Sequence, residues 1–419
     1  MTRTPGALRD LRMRPRSLIF GALFLQWITS MAISDSERWF RGNTHTHSLW
    51  SDGNDFPEMI IGWYKEQGYD FIALSDHNIL AVSEKWMDVE SIQKRQKALG
   101  RSALEKYQKK YDQDWVETRE VEGRTQVRLK KISEFRPLFE EPGKFHIIQA
   151  EEISSSAGGK PVHINAVNLP GKNTIPAVRS EGSVREVMRQ NLQDVAKLEE
   201  QTGVPILTHL NHPNFGWAIT AEDIAHVLEE QFFEVYNGHP GIRHLGDEIH
   251  PGDERIWDIA NTIRIAELQA EPLFGVATDD SHNYHGGNVS PGRGWVMVRA
   301  ATLDGSSLVE AMRAGEFYAS SGVYVEEIRY DAASRELAFQ IQPDGEATFQ
   351  AELIGTRENY EESQIGEVLA TAEGPSIRFR VPTGVLYARV AITSSRAHPN
   401  PSFPGQKEQA WLQPIGWRK

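Results

Sequence analysis

Apolar and polar positions along residues 41–322 predict strands that alternate with helices. One unit is legible in detail, because Ser183 and Glu186 have the spacing of a helix capping box and apolar residues then recur at helical intervals. Gly203 ends this predicted helix, and the apolar residues 204–208 predict the next buried strand. Repeated units of this kind favour a parallel sheet with helices packed against it.

Two parts of the chain depart from this pattern. Residues 83–143 are rich in Glu, Lys, Gln and Arg, which predicts charged surface helices inserted between two strands. After residue 322, short segments of alternating apolar residues are separated by Gly, Pro, Asp and Asn, which predicts a small antiparallel β-sandwich over residues 323–419. These segments are residues 325–330, 336–341, 348–354, 376–381 and 386–393.

The first 32 residues have the pattern of a signal peptide. An arginine-rich lead is followed by an apolar run at residues 18–28, and Ser30-Met31-Ala32 has the small-x-small form of a cleavage site. We therefore expect an exported protein, periplasmic or secreted, whose mature chain starts near Ile33. The alternative is an N-terminal membrane anchor, but the run falls short of the roughly 20 residues needed to span a bilayer.

Composition narrows the chemistry. Of 419 residues, 39% are hydrophobic and 25% are charged, as in ordinary globular proteins. The net charge of −13 argues against a nucleic-acid surface. The chain has no cysteine, which excludes disulfides and thiolate ligands, so any metal ion must be held by imidazole and carboxylate groups. This ligand set suits Zn, Mn or Fe.

Ligand-type residues follow the ends of six apolar, strand-like runs. The runs and their His, Asp and Glu clusters occupy residues 43–47, 71–78, 145–152, 206–213, 232–239 and 274–282. Unpaired polar groups at so many strand ends would cost free energy, so a purely structural role does not account for the pattern. A barrel of parallel strands gathers its carboxyl ends in one place, where such folds do chemistry. The pattern predicts a multi-metal hydrolase.

Two pairs of neighbours leave alternatives open. Glu151 and Glu152 face opposite sides of a strand, so only one can reach a metal site. His209 and His212 are three residues apart, and only one need be a ligand; the other would contact ligands or substrate. Further candidates to orient the ligating imidazoles or to line the pocket are Asp76, Asn237, His239, Asp279 and Arg293.

The motifs together resemble the PHP (polymerase and histidinol phosphatase) family over most of residues 41–322. The matching segments are His45-Thr-His47-Ser-Leu-Trp-Ser-Asp52-Gly53, Leu74-Ser-Asp76-His77-Asn78, Glu152-Ile-Ser, His163, Asn211-His212-Pro213 and Asp280-Ser-His282. The resemblance implies an α/β fold, a distorted (β/α)7 barrel with two or three divalent metal ions at the carboxyl ends of its strands. The signal sequence, the phrase Pro142-Gly-Lys-Phe and the trailing β segment look most like the carbaryl-hydrolase-like branch.

The resemblance also implies a ligand set, in which it favours Glu152 and His212. The first metal would take His45, His47, Glu152 and Asp280, the residues expected to serve catalysis through an activated water. The second would share Glu152 and add His163 and His212, and the third would take Asp52, His77 and His282. Asp52 stands where many family members have a third histidine, so the third site departs from the family pattern.

The expected function is an exported metal-dependent hydrolase in which a metal-bridging hydroxide cleaves a phosphoester. Carboxyl-ester or carbamate hydrolysis by the same mechanism is the first alternative, and a non-catalytic metal-containing binding module is the second. The expected partner is a small-molecule ester, with no nucleic acid and no stable membrane span after processing. Aromatic residues near the motifs favour aryl esters: Trp50, Phe215, Trp217, Tyr236 and Tyr284.

Overall fold

The computed structural model describes residues 37–95 and 102–417, and the predicted signal peptide lies outside these ranges. The strands described are β1 Arg38–Asn43, β2 Phe71–Leu74, β3 Lys85–Asp88, β4 Thr118–Val121, β5 Arg124–Leu129, β6 His146–Ala157, β7 Lys160–Val167, β8 Arg179–Ser180, β9 Leu207–Leu210, β10 Phe232–Asn237, β11 Phe274–Thr278, β12 Trp295–Ala300, β13 Phe317–Ser320, β14 Val325–Asp331, β15 Glu336–Ile341, β16 Phe349–Arg357, β17 Glu367–Glu373, β18 Ser376–Arg380, β19 Val385–Ala397 and β20 Lys407–Ile415. The α-helices described are α1 Pro57–Glu66, α2 Val89–Arg95, α3 Ala103–Lys110, α4 Ile132–Phe139, α5 Val184–Thr202, α6 Ala221–His226, α7 Asp253–Thr262 and α8 Gly305–Arg313.

Seven strands of one large sheet carry the predicted ligand clusters. Their spatial order is β11-β10-β9-β7-β6-β2-β1, and all run in the same direction except β7, which is antiparallel to both of its neighbours. The first and last strands of this set also meet, because a parallel bridge pairs Thr46 with Ser281 just beyond β1 and β11. The seven strands therefore enclose a common interior, and the six parallel strands have their carboxyl ends at the same end of it.

The amino-terminal part of this interior is an apolar core. Each of the seven strands contributes at least one buried residue to it, among them Phe40, Phe71, Ile148, Val167, Leu207, Phe232 and Val276. Leu308, Val309 and Met312 of α8 belong to the same core. A Cβ atom at Gly42 would lie 2.1 Å from the Phe71 ring, so this close contact requires glycine. The apolar core fills one end of the interior, and the polar clusters lie at the other.

The helix expected after Ser183 is confirmed. The Ser183 hydroxyl accepts a hydrogen bond from the Glu186 amide (3.2 Å), and the Glu186 carboxylate accepts one from the Ser183 amide (2.8 Å). Gly203 ends α5 in the left-handed conformation, with φ of 67°. None of the helices within the described ranges is long and apolar enough to cross a membrane.

Between residues 83 and 143, where the sequence predicts surface helices, the structure has α2, α3 and α4 together with a three-stranded antiparallel sheet, β3-β5-β4. Composition did not indicate this sheet because its outer face carries charged residues, which are also typical of surface helices. Its inner residues Val127 and Leu129 are fully buried beside Tyr107 of α3. The segment thus packs into the core instead of lying only on the surface.

Each of the five segments predicted as strands after residue 322 contains a strand. They do not, however, stand apart from the rest of the fold. The large sheet continues from β1 through β12, β13, β20, β19 and β16 to β17, all antiparallel. A small sheet, β14-β15-β18, packs on this extension, with Phe339 and Phe379 in one core with Leu353 and Ile392. The described residues accordingly form one compact unit.

Candidate metal centre

All nine residues expected to bind metal lie in one connected cluster, at the end of the sheet where the six parallel strands have their carboxyl ends. His45 and His47 follow β1, His77 follows β2, and Asp280 and His282 follow β11. The other four are Asp52 in the loop before α1, Glu152 in β6, His163 in β7 and His212 after β9. Each has a ring nitrogen or carboxylate oxygen within 3.7 Å of another member.

The inner group consists of His45, His47, Glu152 and Asp280. The Nε2 atoms of His45 and His47 lie 3.0 Å apart. Glu152 Oε2 and Asp280 Oδ1 lie 3.1–3.4 Å from both of these nitrogens. Two ligand atoms bound at about 2.1 Å to one tetrahedral metal ion would lie about 3.4 Å apart. The four side chains thus present their donor atoms at the spacing that a metal ion requires.

Glu152 connects this inner group to a second one. Its Oε1 lies 2.9 Å from His163 Nδ1 and 3.3 Å from His212 Nε2, and accepts a hydrogen bond from the Asn211 side chain. Its Oε2 is buried and has no hydrogen bond of normal geometry, although imidazole nitrogens surround it. A buried carboxylate oxygen in this state fits a cation better than it fits a hydrogen-bond network. The residues around Glu152 therefore fit a bound metal ion.

A third group lies towards solvent. Asp52 Oδ2 is 3.4 Å from His77 Nε2, and Asp52 Oδ1 is 3.4 Å from His282 Nε2. His47 adds its Nδ1 at 3.6 Å from Asp52 Oδ1. The Asp52 side chain is 53% exposed, whereas those of His77 and His282 are 26% and 17% exposed. An aspartate thus occupies the position at which the sequence departs from the family pattern.

The charges of the cluster shift its titration. Burial would raise the pKa of Asp280 and Glu152, but the surrounding imidazoles hold both well below the ordinary range. Burial would lower the pKa of His45 and His77, but the carboxylates raise both, that of His77 to about 11. Burial, with His282 and His77 nearby, lowers the pKa of His47 to about 4. The carboxylates of the cluster are thus ionised, and their negative charge can be balanced either by protons on the imidazoles or by a metal cation.

Backbone strain coincides with two of the residues expected to bind metal. Asp280 has φ of 46° and His212 has φ of 28°, although neither residue is glycine. Residues held in such conformations cost of order 1–3 kcal/mol each and cluster at functional sites. The adjacent bridge between Thr46 and Ser281 fixes the backbone at Asp280. The fold thus holds these two side chains in place at an energetic cost.

Glu234, a buried residue of β10 that the sequence analysis missed, orients His45. Its Oε1 lies 2.7 Å from His45 Nδ1 and accepts a hydrogen bond from the Thr278 hydroxyl. Its Oε2 accepts hydrogen bonds from the His212 amide and the Asn237 side chain. A carboxylate on the far nitrogen fixes the tautomer of a ligating imidazole. The sequence did contain an indication of this role, because Glu234 is a charged residue inside the apolar run 232–236.

Asp76 and Asp279 were expected to orient imidazoles, and the structure contradicts this for both. The Asp76 carboxylate instead accepts hydrogen bonds from the amides and hydroxyls of Ser48 and Ser51. Asp279 accepts from the Tyr64 hydroxyl and from three successive amides, those of residues 292–294. Both carboxylates instead accept hydrogen bonds from loop amides, and these amides would otherwise lack an acceptor.

The remaining candidates divide between the site and its supports. Asn237 donates to Asp280 Oδ2 at 3.1 Å. The His239 ring is half-buried, 5.6 Å from that of His282. His209 is fully buried beside His45, with 6.3 Å between ring centres, and lies outside the ligand groups. Arg293 is 3% exposed and donates to carbonyl oxygens, including that of Gly238, so it supports the loop instead of lining the pocket.

The two adjacent glutamates face opposite sides, as their position in a strand requires. Glu152 enters the cluster, whereas Glu151 accepts a hydrogen bond from the Ile175 amide at 2.7 Å. Burial raises the pKa of Glu151 to about 8.

Of the five aromatic residues expected near a substrate, Phe215 lies beside the cluster: its ring is 5.3 Å from that of His212 and the residue is 40% exposed. Trp217 instead stacks on His250, with 4.1 Å between ring centres. Trp50 and Tyr236 belong to the buried core. The Tyr284 hydroxyl is used in hydrogen bonds to backbone carbonyls. The expectation therefore fails for the last three, because core packing accounts for them.

No protein-family model matches the chain, and no curated protein matches it. Similar solved structures include a two-domain protein from Bacteroides vulgatus described as containing a predicted PHP-like metal-dependent phosphoesterase, at 13% identity, with 90% of this chain and 95% of that chain covered and a TM-score of 0.40. PsfC from Pseudomonas syringae is 10% identical, with 66% and 88% covered and a TM-score of 0.34. An inferred metal-dependent phosphoesterase from Bifidobacterium adolescentis is 11% identical, with 65% and 94% covered and a TM-score of 0.28. Likenesses this remote assign no activity, so the function is argued from the site.

Proposed function

We propose that the chain is a metal-dependent phosphoesterase of the PHP type, and that its closed set of seven strands is a distorted (β/α)7 barrel. One observation carries the proposal: Glu152 directs its two oxygens to two different groups of imidazoles, and Asp280 completes the first group. Paired metal ions bridged by a carboxylate are typical of sites that hydrolyse phosphoesters. The motif resemblance supports the same assignment.

The ligand roles follow the three groups of the cluster. His45, His47, Glu152 and Asp280 would hold the first cation, Glu152, His163 and His212 the second, and Asp52, His77 and His282 the third. Bound divalent cations supply Lewis-acid activation of water and neutralise the charge that develops on the attacked group. The protein contributes the geometry, with Glu234 orienting His45 and Asn237 positioning Asp280. Zn, Mn and Fe all suit this donor set.

Hydrolysis of a carboxyl ester or carbamate by the same centre is the second candidate. Phosphate recognition usually employs arginine. Here Arg293 donates to backbone carbonyls, and the guanidinium of Arg243 lies over the Trp217 ring at 4.7 Å. The apolar rim at Phe215 favours a substrate with an aromatic group in either case. A non-catalytic binding module is a weaker candidate because the set of ligands is complete.

Metal analysis combined with a substrate panel tests the proposal. Purified protein would be analysed for Zn, Mn and Fe, then assayed on p-nitrophenyl phosphate, bis-p-nitrophenyl phosphate, p-nitrophenyl acetate and 1-naphthyl methylcarbamate. We expect metal in the protein and turnover of a phosphoester that a chelator abolishes. Metal-dependent turnover of only the acetate or carbamate would support the second candidate, and bound metal without turnover would support the binding module.

His212→Ala is the most direct variant, because His212 contacts Glu152 and its loss removes one ligand of the second group. We expect turnover to fall by at least about a hundredfold while the fold persists, since the apolar core and not the metal supplies most of the buried area. The matched control is His226→Ala, a half-buried histidine at the carboxyl end of α6 that is not one of the nine cluster residues. Equal effects of the two substitutions on turnover would contradict the assignment.

We also propose that residues 1–32 are an export signal and that the enzyme acts in the periplasm or outside the cell. The support is the sequence pattern alone. Mass spectrometry of protein recovered from a native host should show a chain that starts near Ile33. An intact Met1 in the cytoplasmic fraction would contradict export.

A further inference from the structure

Asp52 differs from the other members of the centre in how it is held. Its side chain is 53% exposed, whereas the other eight are at most 26% exposed. It lies in the loop of residues 48–55, between β1 and α1, and not in or directly beyond a strand. Its position must therefore depend on whatever fixes this loop.

Two basic residues of the inserted segment, residues 83–143, donate hydrogen bonds to this loop, one before Asp52 in sequence and one after it. Arg95, at the end of α2, donates from Nη1 to the carbonyl oxygen of Gly53 at 2.9 Å. Lys85 of β3 donates from Nζ to the carbonyl oxygen of Trp50. Both residues are distant in sequence from the loop that they hold, so these contacts are part of the tertiary fold.

A third basic residue connects the loop to the other side of the outer group. Lys106 of α3 donates to Asp55 Oδ2 at 2.7 Å and to the carbonyl oxygen of Tyr284 at 3.3 Å. The Asn54 amide donates to the carbonyl oxygen of His282 at 2.9 Å. The segments that carry Asp52 and His282 are thus fastened to each other and to the insertion.

Apolar packing fixes the insertion against the base of the loop. The rings of Phe56 and Tyr107 stack 3.9 Å apart with 6° between their planes. Trp50 is buried in the same core as Ile92 of α2. A Cβ atom at Gly53 would lie 2.5 Å from the carbonyl oxygen of His47, so the loop lies directly on the backbone of an inner ligand.

We propose that the inserted segment sets the affinity of the outermost metal position by holding the Asp52 loop, with Arg95 as the principal positioning residue. The inference rests on the proposed function, because it assumes that the centre binds metal. Arg95 contacts the residue immediately after Asp52, so its removal releases that side of the loop. The side chains of the inner positions are at most 17% exposed, and they lie in or directly beyond strands and not in the loop that Arg95 holds.

Titration of metal-free protein with Zn²⁺ tests the inference without an assay of turnover. We expect three equivalents to bind to the native chain and the third to be lost in Asp52→Asn. In Arg95→Ala, the third equivalent should bind at least about tenfold more weakly, with the first two unchanged. The matched control is Lys94→Ala on the same helix, since Lys94 is 72% exposed and pairs with Glu90; it should bind as the native chain does.

Two further variants separate positioning from general destabilisation. Arg95→Lys keeps a donor for the Gly53 carbonyl and should recover part of the third affinity, and Lys106→Gln should weaken the same position independently. Undiminished third affinity in Arg95→Ala, equal weakening of all three equivalents, or only two equivalents in the native chain would overturn the inference. A chain that binds no Zn²⁺ at all would instead contradict the proposed function itself.

Discussion

At the scale of single residues, Glu234 joins the ligand-bearing strands. It is fully buried. Its Oε1 contacts His45 Nδ1 and accepts a hydrogen bond from the Thr278 hydroxyl, and its Oε2 accepts hydrogen bonds from the His212 amide and the Asn237 side chain. Burial would raise the pKa of Glu234, but the nearby imidazoles of His45, His209 and His212 hold it below the ordinary value. A single side chain thus orients the His45 ring and fixes the backbone of His212, two of the residues proposed to bind metal.

Glu234→Gln should therefore weaken metal binding. Glu234 Oε1 now accepts hydrogen bonds from His45 Nδ1 and the Thr278 hydroxyl. An amide nitrogen at this place cannot accept them, so His45 would lose its defined orientation. We expect the affinity of the inner position to fall about 10–100-fold in Zn²⁺ titration. Glu230→Gln is the control, because Glu230 is also buried, but burial raises its pKa to about 7 and its Oε2 has no hydrogen bond, so an amide fits there. Equal affinity in the two variants would contradict the role of Glu234.

Phe215 is the residue at which substrate preference can be tested. Its ring lies 5.3 Å from His212, with 40% of the residue exposed, so it can pack on an aromatic leaving group. Phe215→Ser should raise KM for 1-naphthyl phosphate about tenfold, in keeping with partial loss of apolar burial, and leave methyl phosphate almost unaffected. Leu228→Ser, 44% exposed elsewhere, is the control. The same change in KM for both substrates would argue against an aryl contact.

The sequence predicted which side chains cluster better than it predicted the residues that support them. The meeting of His45, His47 and Asp280 could be foreseen because ligand-type residues placed directly after apolar strands are costly to bury unless they bind something. The partners of Asp76 and Asp279 could not, because a buried aspartate binds an imidazole or a run of loop amides equally well. Which of these it meets depends on loop paths that are set by tertiary packing and leave no local pattern.

At the scale of elements, Glu58 links α1 to the inserted segment. Its Oε1 accepts hydrogen bonds from the Tyr107 hydroxyl at 2.7 Å and from the Trp115 indole at 3.1 Å, while its Oε2 has no partner. Burial raises the pKa of Glu58 to about 7 against these donors. The protonated carboxyl is therefore the form that this junction favours.

Glu58 should make stability depend on pH. Its pKa is higher in the folded chain (about 7) than the ordinary 4.5 expected on unfolding, so the folded state binds more protons between these values. Stability is full below about pH 4.5 and declines as pH rises through 7. Glu58→Gln should remove this decline, gaining roughly 1–3 kcal/mol over the native chain at pH 8 and little at pH 5. Urea unfolding at both pH values measures the gain; a gain independent of pH would contradict the assignment.

Elements were predictable where their periodicity was strong. The ends of α5 follow from Ser183 and Gly203, which cap a long amphipathic helix. The antiparallel direction of β7 was missed, although Gly158 and Gly159, with φ of 53° and 77°, form the two-residue turn of a hairpin with β6. The β4–β5 hairpin was missed for a related reason: its turn residues Glu122 and Gly123 are diagnostic only beside apolar strands, and the residues of these two strands are mostly polar.

At the scale of the whole molecule, one sheet runs from the seven strands around the candidate metal centre to the C-terminal strands. Alternating short strands predicted β structure after residue 322, but strand pattern does not reveal which sheet a strand joins. The connection is reinforced at α7, where Arg389 of β19 binds Asp258 through two hydrogen bonds of 2.8 and 2.7 Å. We therefore expect both parts of the described chain to unfold in one transition.

Asp258→Ala tests this coupling. The side chains of Asp258 and Arg389 are only 4% and 2% exposed, so the substitution leaves a buried guanidinium without its bidentate partner. Such losses cost about 3–5 kcal/mol. Asp344→Ala is the control, because its pair with Arg396 is 52% and 48% exposed and should contribute at most about 1 kcal/mol. Urea unfolding of metal-free protein, followed by circular dichroism and tryptophan fluorescence, should shift as one coincident transition in Asp258→Ala and barely move in Asp344→Ala. Two separated transitions in the native chain would show instead that the C-terminal strands fold independently of the metal-binding ones, and the continuous sheet would then be a contact between domains.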